Sequence, residues 1–425
     1  MLDVTVDELT RLASQGFGRG IRHNINCHIH LPPNFSAFQS AREAVDLAAK
    51  EGLTILGTSN YYDFGVYARF REHARRRSIY PLFGVEIVAR SRGLADRGVR
   101  VNDPTNPGKI YLCGKGITRF HPPATSARRL LDTIRRNDSA RLARMIDRLE
   151  SLFAALGTPT GLTADGIIDR VVKRCGYPRE WVVLQERHAA QAFQERFFEL
   201  VAPEDRARRL GEILSAPCKV GPEDAVRVQE EIRSHLMKAG RPAFAAESFI
   251  DLANAETLVL ELGGIPCYPV LADGAAQPCE YEADPDRLIE HLKGKRVHCA
   301  EFIPTRNSRG VLVRYVQKMH KAGLIVTAGT EHNTRSLTSL VATSAGGEAI
   351  PDEIEAIFRE GALVVAAHQF LSAQGRCGFV DARGELNPEY GDQESRIQAL
   401  RGLGAALVAR FRETTPDGGS GNDAV

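Results

Sequence analysis

Ile25-Asn26-Cys27-His28-Ile29-His30 is an apolar-flanked run that stops just short of the turn-forming Pro32-Pro33. In an extended strand successive side chains alternate faces, so the imidazoles of His28 and His30 point the same way and can grip one cation from the strand's end. With twelve histidines in the chain, a His-x-His pair also arises by chance, so the metal reading depends on partners elsewhere.

Outward from this strand the signals alternate. Ser40-Ala41-Arg42-Glu43 reads as a capping box, Ala44 to Lys50 continues an amphipathic helix, and Gly52 sits where a left-handed stop belongs. Strands are predicted over 53–58 and 81–89, with a polar helix over 67–77 between them. The same rhythm returns late in the chain, with strands over 265–270, 297–303 and 324–328 and helices over 284–293 and 311–322. Strands separated by single helices predict an α/β fold with right-handed crossovers, a parallel sheet or barrel, and active residues at the strands' carboxyl ends. Residues 122–245 read as a mostly helical insertion, a cap over the barrel mouth. Arg128, Arg135, Arg141 and Arg148, interleaved with acids, also suit an ordinary solvated helix face. The expected division is therefore 1–121 and 246–413 for the barrel, the second part with a C-terminal extension, 122–245 for the cap, and 414–425 for a disordered polar tail.

At 425 residues and 43% hydrophobic content the chain can bury a large core, while its net charge of +2 gives no global reason to expect nucleic-acid binding. No apolar run approaches the roughly twenty residues a bilayer helix needs, so no membrane association is expected. The eight cysteines form no Cys-x-x-Cys pair, which fits a reduced cytoplasm.

Two carboxylates need partners. Glu86 lies within Pro81-Leu82-Phe83-Gly84-Val85-Glu86-Ile87-Val88, and Glu331 follows the apolar strand Leu324 to Ala328. A buried carboxylate must find a cation, strong donors or a proton. His28, His30, Glu86 and Glu331 form a mutually consistent metal-ligand set. The competing explanation is a salt bridge, for which Arg306 is the available cation.

These motifs and their order resemble the PHP (polymerase and histidinol phosphatase) domain over about 24–335. Asn26 to His30 is similar to its opening motif, Gly52 to Tyr61 to its second, Gly84-Val85-Glu86-Ile87 to its third, and Ala328 to Asn333 to its closing Gly-Ser-Asp-x-His. Glu186 to Phe193 is similar to a helix of the phosphoesterase branch that carries an inserted domain, and Gly263 to Pro269 to a strand ending in Ala-His-Pro. The resemblance implies a distorted TIM-like (β/α)7 barrel, up to three metals and phosphoester cleavage.

The departures are specific. Asn60-Tyr61 stands for Asp-His, Tyr111 and Tyr268 stand for histidines, Asn34 or Phe35 for an aspartate, and Asn333 for the last histidine. A neutral phenol, with a pKa near 10, is a poor ligand for zinc or manganese. The residues that survive are those the family uses for one metal, so the resemblance implies a single divalent ion, Mn, Zn or Fe, held by His28, His30, Glu86 and Glu331. Four protein ligands would close a tetrahedral site, so catalysis would require five- or six-coordination.

The expected activity is metal-dependent hydrolysis of a small anionic substrate, a phosphoester above all. His332 is the candidate general acid or base, Arg306 and Tyr268 complete the catalytic set, and Tyr61, Tyr111, Asn60 and Asn333 are the candidates for substrate contact. The tyrosines fit simple packing equally well. Two other readings stay open: a one-metal hydrolase, lyase or isomerase for a small carboxylate, amide or sugar acid, and a ligand-binding descendant without catalysis. His368, also in an apolar segment, reads as a core histidine.

Overall fold

A computed structural model describes residues 4–218, 221 and 223–414. Its sheet contains β1 (Ile25–Ile29), β2 (Ile55–Thr58), β3 (Tyr80–Arg90), β4 (Lys109–Lys115), β5 (Ile250–Asp251), β6 (Ile265–Val270), β7 (Cys299–Phe302) and β8 (Ile325–Ala328). The strand order is β1-β2-β3-β4-β6-β7-β8, with the two-residue β5 on the end of β3. Closure comes from the segment after β8: the Glu331 N–H donates to the His28 carbonyl and the His30 N–H to the Glu331 carbonyl, both at 2.8 Å. The result is a nearly closed TIM-like barrel.

Local signals place the elements. The Ser40 hydroxyl accepts the Glu43 N–H, Glu43 reaches back to the Gln39 N–H, and Gly52 ends the helix Ala41–Lys50 at φ +73°. One expectation fails. The sheet is not all parallel, because β4 runs antiparallel to both β3 and β6. The connection from β3 to β4 carries only the five-residue helix Arg92–Asp96, which buries nothing, so the chain folds back beside β3 without a covering crossover helix.

The segment between β4 and β5 builds a second core, in which Leu142, Phe153, Phe193, Phe197, Leu210 and Met237 take part. The 31-residue helix Thr125–Ala155 spans both cores: its first turns place Ala127, Leu131 and Ile134 in the barrel's cluster, and its later turns enter the second. The mixed charges of this helix do not all lie on a solvated face, since Arg141 is buried.

After Asn333 the chain forms two helices, Asp352–Ala373 and Gln393–Thr414, that pack against each other and against barrel residues such as Cys27, Leu82, Cys113 and Cys299. The first crosses the N-terminal ends of the strands, where the Gln369 side chain bonds the Pro81 carbonyl and the Phe83 N–H, and His368 bonds the Gly263 carbonyl. Glycines allow this approach. A Cβ on Gly361 would lie 2.2 Å from the Val326 carbonyl oxygen, and one on Gly404 2.0 Å from that of Leu363. No helix among the described residues is long and apolar enough to cross a membrane. The tail expected at 414–425 lies outside the described residues beyond Thr414.

Both ring nitrogens of His368 are committed: Nε2–H donates to Gly263 and Nδ1 accepts the Phe379 N–H. Burial pushes its pKa down to about 4, and those of His23 and His188 to about 4 and 3. Between pH 6.5 and 4 the unfolded chain therefore binds protons that the folded chain refuses, so stability is full above this window and falls as pH drops through it. Replacing His368 with Gln should recover about 2 kcal/mol of the stability lost between pH 7 and pH 5, read from urea unfolding at the two pH values.

Candidate metal centre

The carboxyl-end rim of the barrel collects the site. The register of β1 against β2 shifts between Asn26 and Ile29, and the imidazoles of His28, within this irregularity, and His30, just past it, turn inward and are buried. His28 Nε2 and His30 Nε2 lie 3.5 Å apart, and each is 3.3 Å from Glu86 Oε2 on β3. Three donors bound at ~2.0–2.1 Å to a tetrahedral ion form a triangle with edges of roughly 3.4 Å. The observed triangle has that size, and Glu86 Oε2 is a buried oxygen without a hydrogen-bond partner. Residue types, spacing and this orphaned oxygen all fit a divalent cation.

Neighbouring groups orient the three donors. His28 Nδ1 lies 2.7 Å from Glu301 Oε2 on β7, which fixes the proton on Nδ1 and leaves Nε2 free to face Glu86. Glu301 is in turn held by Lys115 on β4, with Nζ 2.5 Å from Oε1; Lys115 also donates to the Cys27 carbonyl and the Ser59 hydroxyl. Tyr61 donates to Glu86 Oε1 at 2.5 Å and stacks on His30 with ring centroids 5.1 Å apart. Burial opposes ionisation of Glu86, but the adjacent His28 and His30 imidazoles, which face Oε2 at 3.3 Å without good hydrogen-bond geometry, outweigh it and hold the carboxyl below the usual range. Burial likewise opposes the His28 cation, and the Glu301 charge prevails and raises its pKa. A proton and a metal ion therefore compete for the same Nε2 lone pair.

The other expected residues are distributed unevenly. Glu331, expected as a fourth ligand, stands apart from the triangle: its carboxylate pairs with Arg306 and accepts from the Asn333 amide. Its backbone and that of His332 are left-handed, at φ +60° and +52°. His332 does not line the cavity. It is 4% exposed, with Nδ1 2.7 Å from the Thr330 hydroxyl, Nε2 3.0 Å from the Thr338 carbonyl, and its ring stacked on Phe38. Both nitrogens being spent on the loop, it is poorly placed for proton transfer. Asn60 is buried and pins Leu31 through both that residue's N–H and carbonyl, joining the ends of β1 and β2. Tyr268 is buried in the barrel's outer core facing Glu282, so packing describes it best.

Tyr61, Tyr111, Arg306, Glu331 and Asn333 do line a cavity of about 470 Å³ above the triangle. Its far wall comes from the segment between β4 and β5, including Asp138, Arg141, Arg187 and Arg233. Burial pushes the Asp138 carboxyl up to about 6 against the opposing charge of Arg141. Glu301 and Lys115 were missed from the sequence. Glu301 carries the signal that singled out Glu86, a carboxylate inside the apolar strand Cys299-Ala300-Glu301-Phe302, and Lys115 closes a similarly apolar strand.

No family model and no curated protein matches the sequence. Among solved structures, the chain is similar to an amidohydrolase from Chromobacterium violaceum with bound sulfate and no metal, at 17% identity and a TM-score of 0.50 over 79% of this chain and 96% of the other. It is also similar to a Bifidobacterium adolescentis protein assigned as a metal-dependent phosphoesterase, at 14% identity and a TM-score of 0.55 over 79% and 95%. At these identities the likeness is one of fold.

The Lys115–Glu301 pair is buried, so removing one partner strands the other charge. Glu301→Gln should cost about 3–5 kcal/mol in denaturant unfolding, and adding Lys115→Met should restore most of it, since the second change removes the stranded ammonium.

Proposed function

We propose that this chain is a metal-dependent hydrolase, a divergent PHP-type phosphoesterase working with one divalent ion. The observation that carries the reading is the triangle of His28 Nε2, His30 Nε2 and Glu86 Oε2, with edges of 3.3–3.5 Å. The resemblance of the motifs and the fold shared with an assigned metal-dependent phosphoesterase support it. These three residues would hold the cation, and Mn, Zn or Fe suits two imidazoles and a carboxylate. Such an ion supplies water acidification near neutral pH and polarisation of the substrate oxygen.

The chain's own groups do the rest. Tyr61 occupies Glu86 Oε1 and leaves Oε2 for the ion; Glu301 holds His28 in the ligating tautomer. The Arg306 side chain is two-fifths exposed, and exchanging Glu331 for a substrate anion orients the phosphoryl group by a bidentate contact. The insertion walls the cavity from bulk water. In hydrolysis water adds to phosphorus, the ester P–O bond breaks, and the departing oxygen takes a proton. Asp138 is the group assigned to give it, in place of His332.

A second reading keeps the same ion and changes the substrate. Because Arg306 holds Glu331, a three-metal arrangement is disfavoured, and one ion beside a guanidinium also suits a small carboxylate-bearing amide. The fold shared with an amidohydrolase belongs with this reading.

Protein prepared free of chelator should bind about one equivalent of divalent metal, measured by elemental analysis, and His30→Ala should lose metal and activity together while keeping its fold. Near three equivalents would restore a full phosphoesterase centre, and none would leave only a binding role. Turnover of phosphomonoesters and phosphodiesters supports the first reading; silence there with turnover of N-acyl carboxylates moves the assignment to the second. Asp138 acts as an acid, so its contribution is present below about pH 6 and lost as pH rises through that value. Asp138→Asn should lower kcat roughly 10²-fold and erase this limb of the kcat profile.

A further inference from the structure

We infer, on the reading of Arg306 as the group that takes the substrate anion, that Glu282 is its positioning residue: without touching the cavity, this carboxylate fixes the turn 271–274 against which the stem of Arg306 lies.

Glu282 is fully buried and ends the short helical turn Glu280–Glu282. Both its carboxylate oxygens lie 3.1 Å from the Leu271 nitrogen, and Oε2 accepts the Ala272 N–H at 2.6 Å. From the helix Arg309–Lys321, the Tyr315 hydroxyl donates to the Glu282 carbonyl at 2.5 Å and holds the residue in place. Among the described residues Glu282 makes no ion pair, and the phenol that faces it, Tyr268, makes no hydrogen bond of good geometry. A carboxylate buried without a cation is costly, so packing alone is a poor reason for it. What it holds is a strained turn. Ala272 sits at φ +48°, a left-handed backbone that a residue with a Cβ keeps only where its surroundings fix it.

That turn carries Arg306. The Leu271 carbonyl accepts the Asn307 side-chain amide at 2.7 Å, and Asp273 Oδ1 accepts the same amide at 3.0 Å. Asp273 Oδ2 accepts the Ser308 N–H at 3.2 Å and the Ser308 hydroxyl at 2.6 Å. Both residues that follow Arg306 therefore hang from the turn. The stem of Arg306 lies against Gly274, where an added Cβ would be 3.0 Å from Arg306 Cβ and 2.8 Å from the Leu271 carbonyl oxygen. Leu271, Gly274 and Arg306 line the cavity together, and Glu282 stands outside it. Two N–H groups pinned by one carboxylate set the position of the turn, and the turn sets the direction from which the guanidinium enters. A bidentate contact tolerates little error in that direction.

Titration calorimetry with inorganic phosphate at pH 8, above the value of about 7 to which burial pushes the Glu282 carboxyl, tests the assignment. In Glu282→Gln the amide nitrogen is a donor and accepts from neither N–H, so the turn loses part of its anchor. Phosphate should then bind about tenfold more weakly, with the metal content of the protein unchanged. An Arg306→Lys chain presents a point charge with no fork to align, and there Glu282→Gln should change phosphate binding by less than about twofold. Gly274→Ala leaves Glu282 intact and pushes on the Arg306 stem; as an independent variant it should also weaken phosphate, by about tenfold, and only where Arg306 is present. The assignment is overturned by unchanged phosphate binding in both variants, by a loss just as large in the Arg306→Lys chain, or by metal lost together with phosphate, which marks a general disturbance of the barrel. A parent chain that binds no phosphate removes the anion clamp itself and this assignment with it, an outcome distinct from a parent that binds phosphate and is indifferent to Glu282.

Discussion

The structure depends on a row of buried charges running into the barrel: Glu86, then His28, then Glu301, then Lys115, each touching the next. All four are nearly inaccessible to water. Desolvating any one of them alone costs several kcal/mol, and the row is tolerable because each charge meets its opposite within hydrogen-bond range. This constraint places the site as well. The ammonium at the deep end anchors Glu301, Glu301 sets the tautomer of His28, and His28 can then offer Nε2 at the rim only in the direction of Glu86.

The antiparallel strand β4 makes that row possible. Running against its neighbours, it carries Tyr111 to the cavity and Lys115 toward the far end, so one strand supplies a wall residue at the mouth and a cation beneath the centre. A parallel strand in the same place would reverse the two. Closure of the barrel works on the same few residues. The carbonyl of His28 and the N–H of His30 both bond the backbone of Glu331, and the left-handed turn at Glu331 and His332 is held by these contacts. Ligand geometry and barrel closure are thus one structure, with Arg306 taking up the Glu331 side chain that the turn directs away from the triangle.

Much of this was legible before folding was considered. The alternation of strands and helices is written in apolar periodicity, and β6 lies where that periodicity puts it, at Ile265–Val270. His28, His30 and Glu86 stand out because polar groups in apolar strands demand a purpose. Glu301 obeyed the same rule and was passed over because no partner in the sequence pointed to it; its partners come from β1 and β4, far away in the chain. His332 was misjudged for the converse reason. A histidine beside a conspicuous acid looks available, but its ring is consumed by Thr330, Thr338 and Phe38, and the latter two contacts exist only once the loop has closed.

The sequence by itself determined the alternating strands and helices on either side of the segment between β4 and β5, and that two imidazoles on one strand would share a face, because these follow from local periodicity. Tertiary structure alone decided the direction of β4, the pairing of Glu301 with Lys115 and the capture of Glu331 by Arg306. Each of these joins residues distant in the chain, and a charge chooses its partner by distance in space, which only the closed barrel establishes.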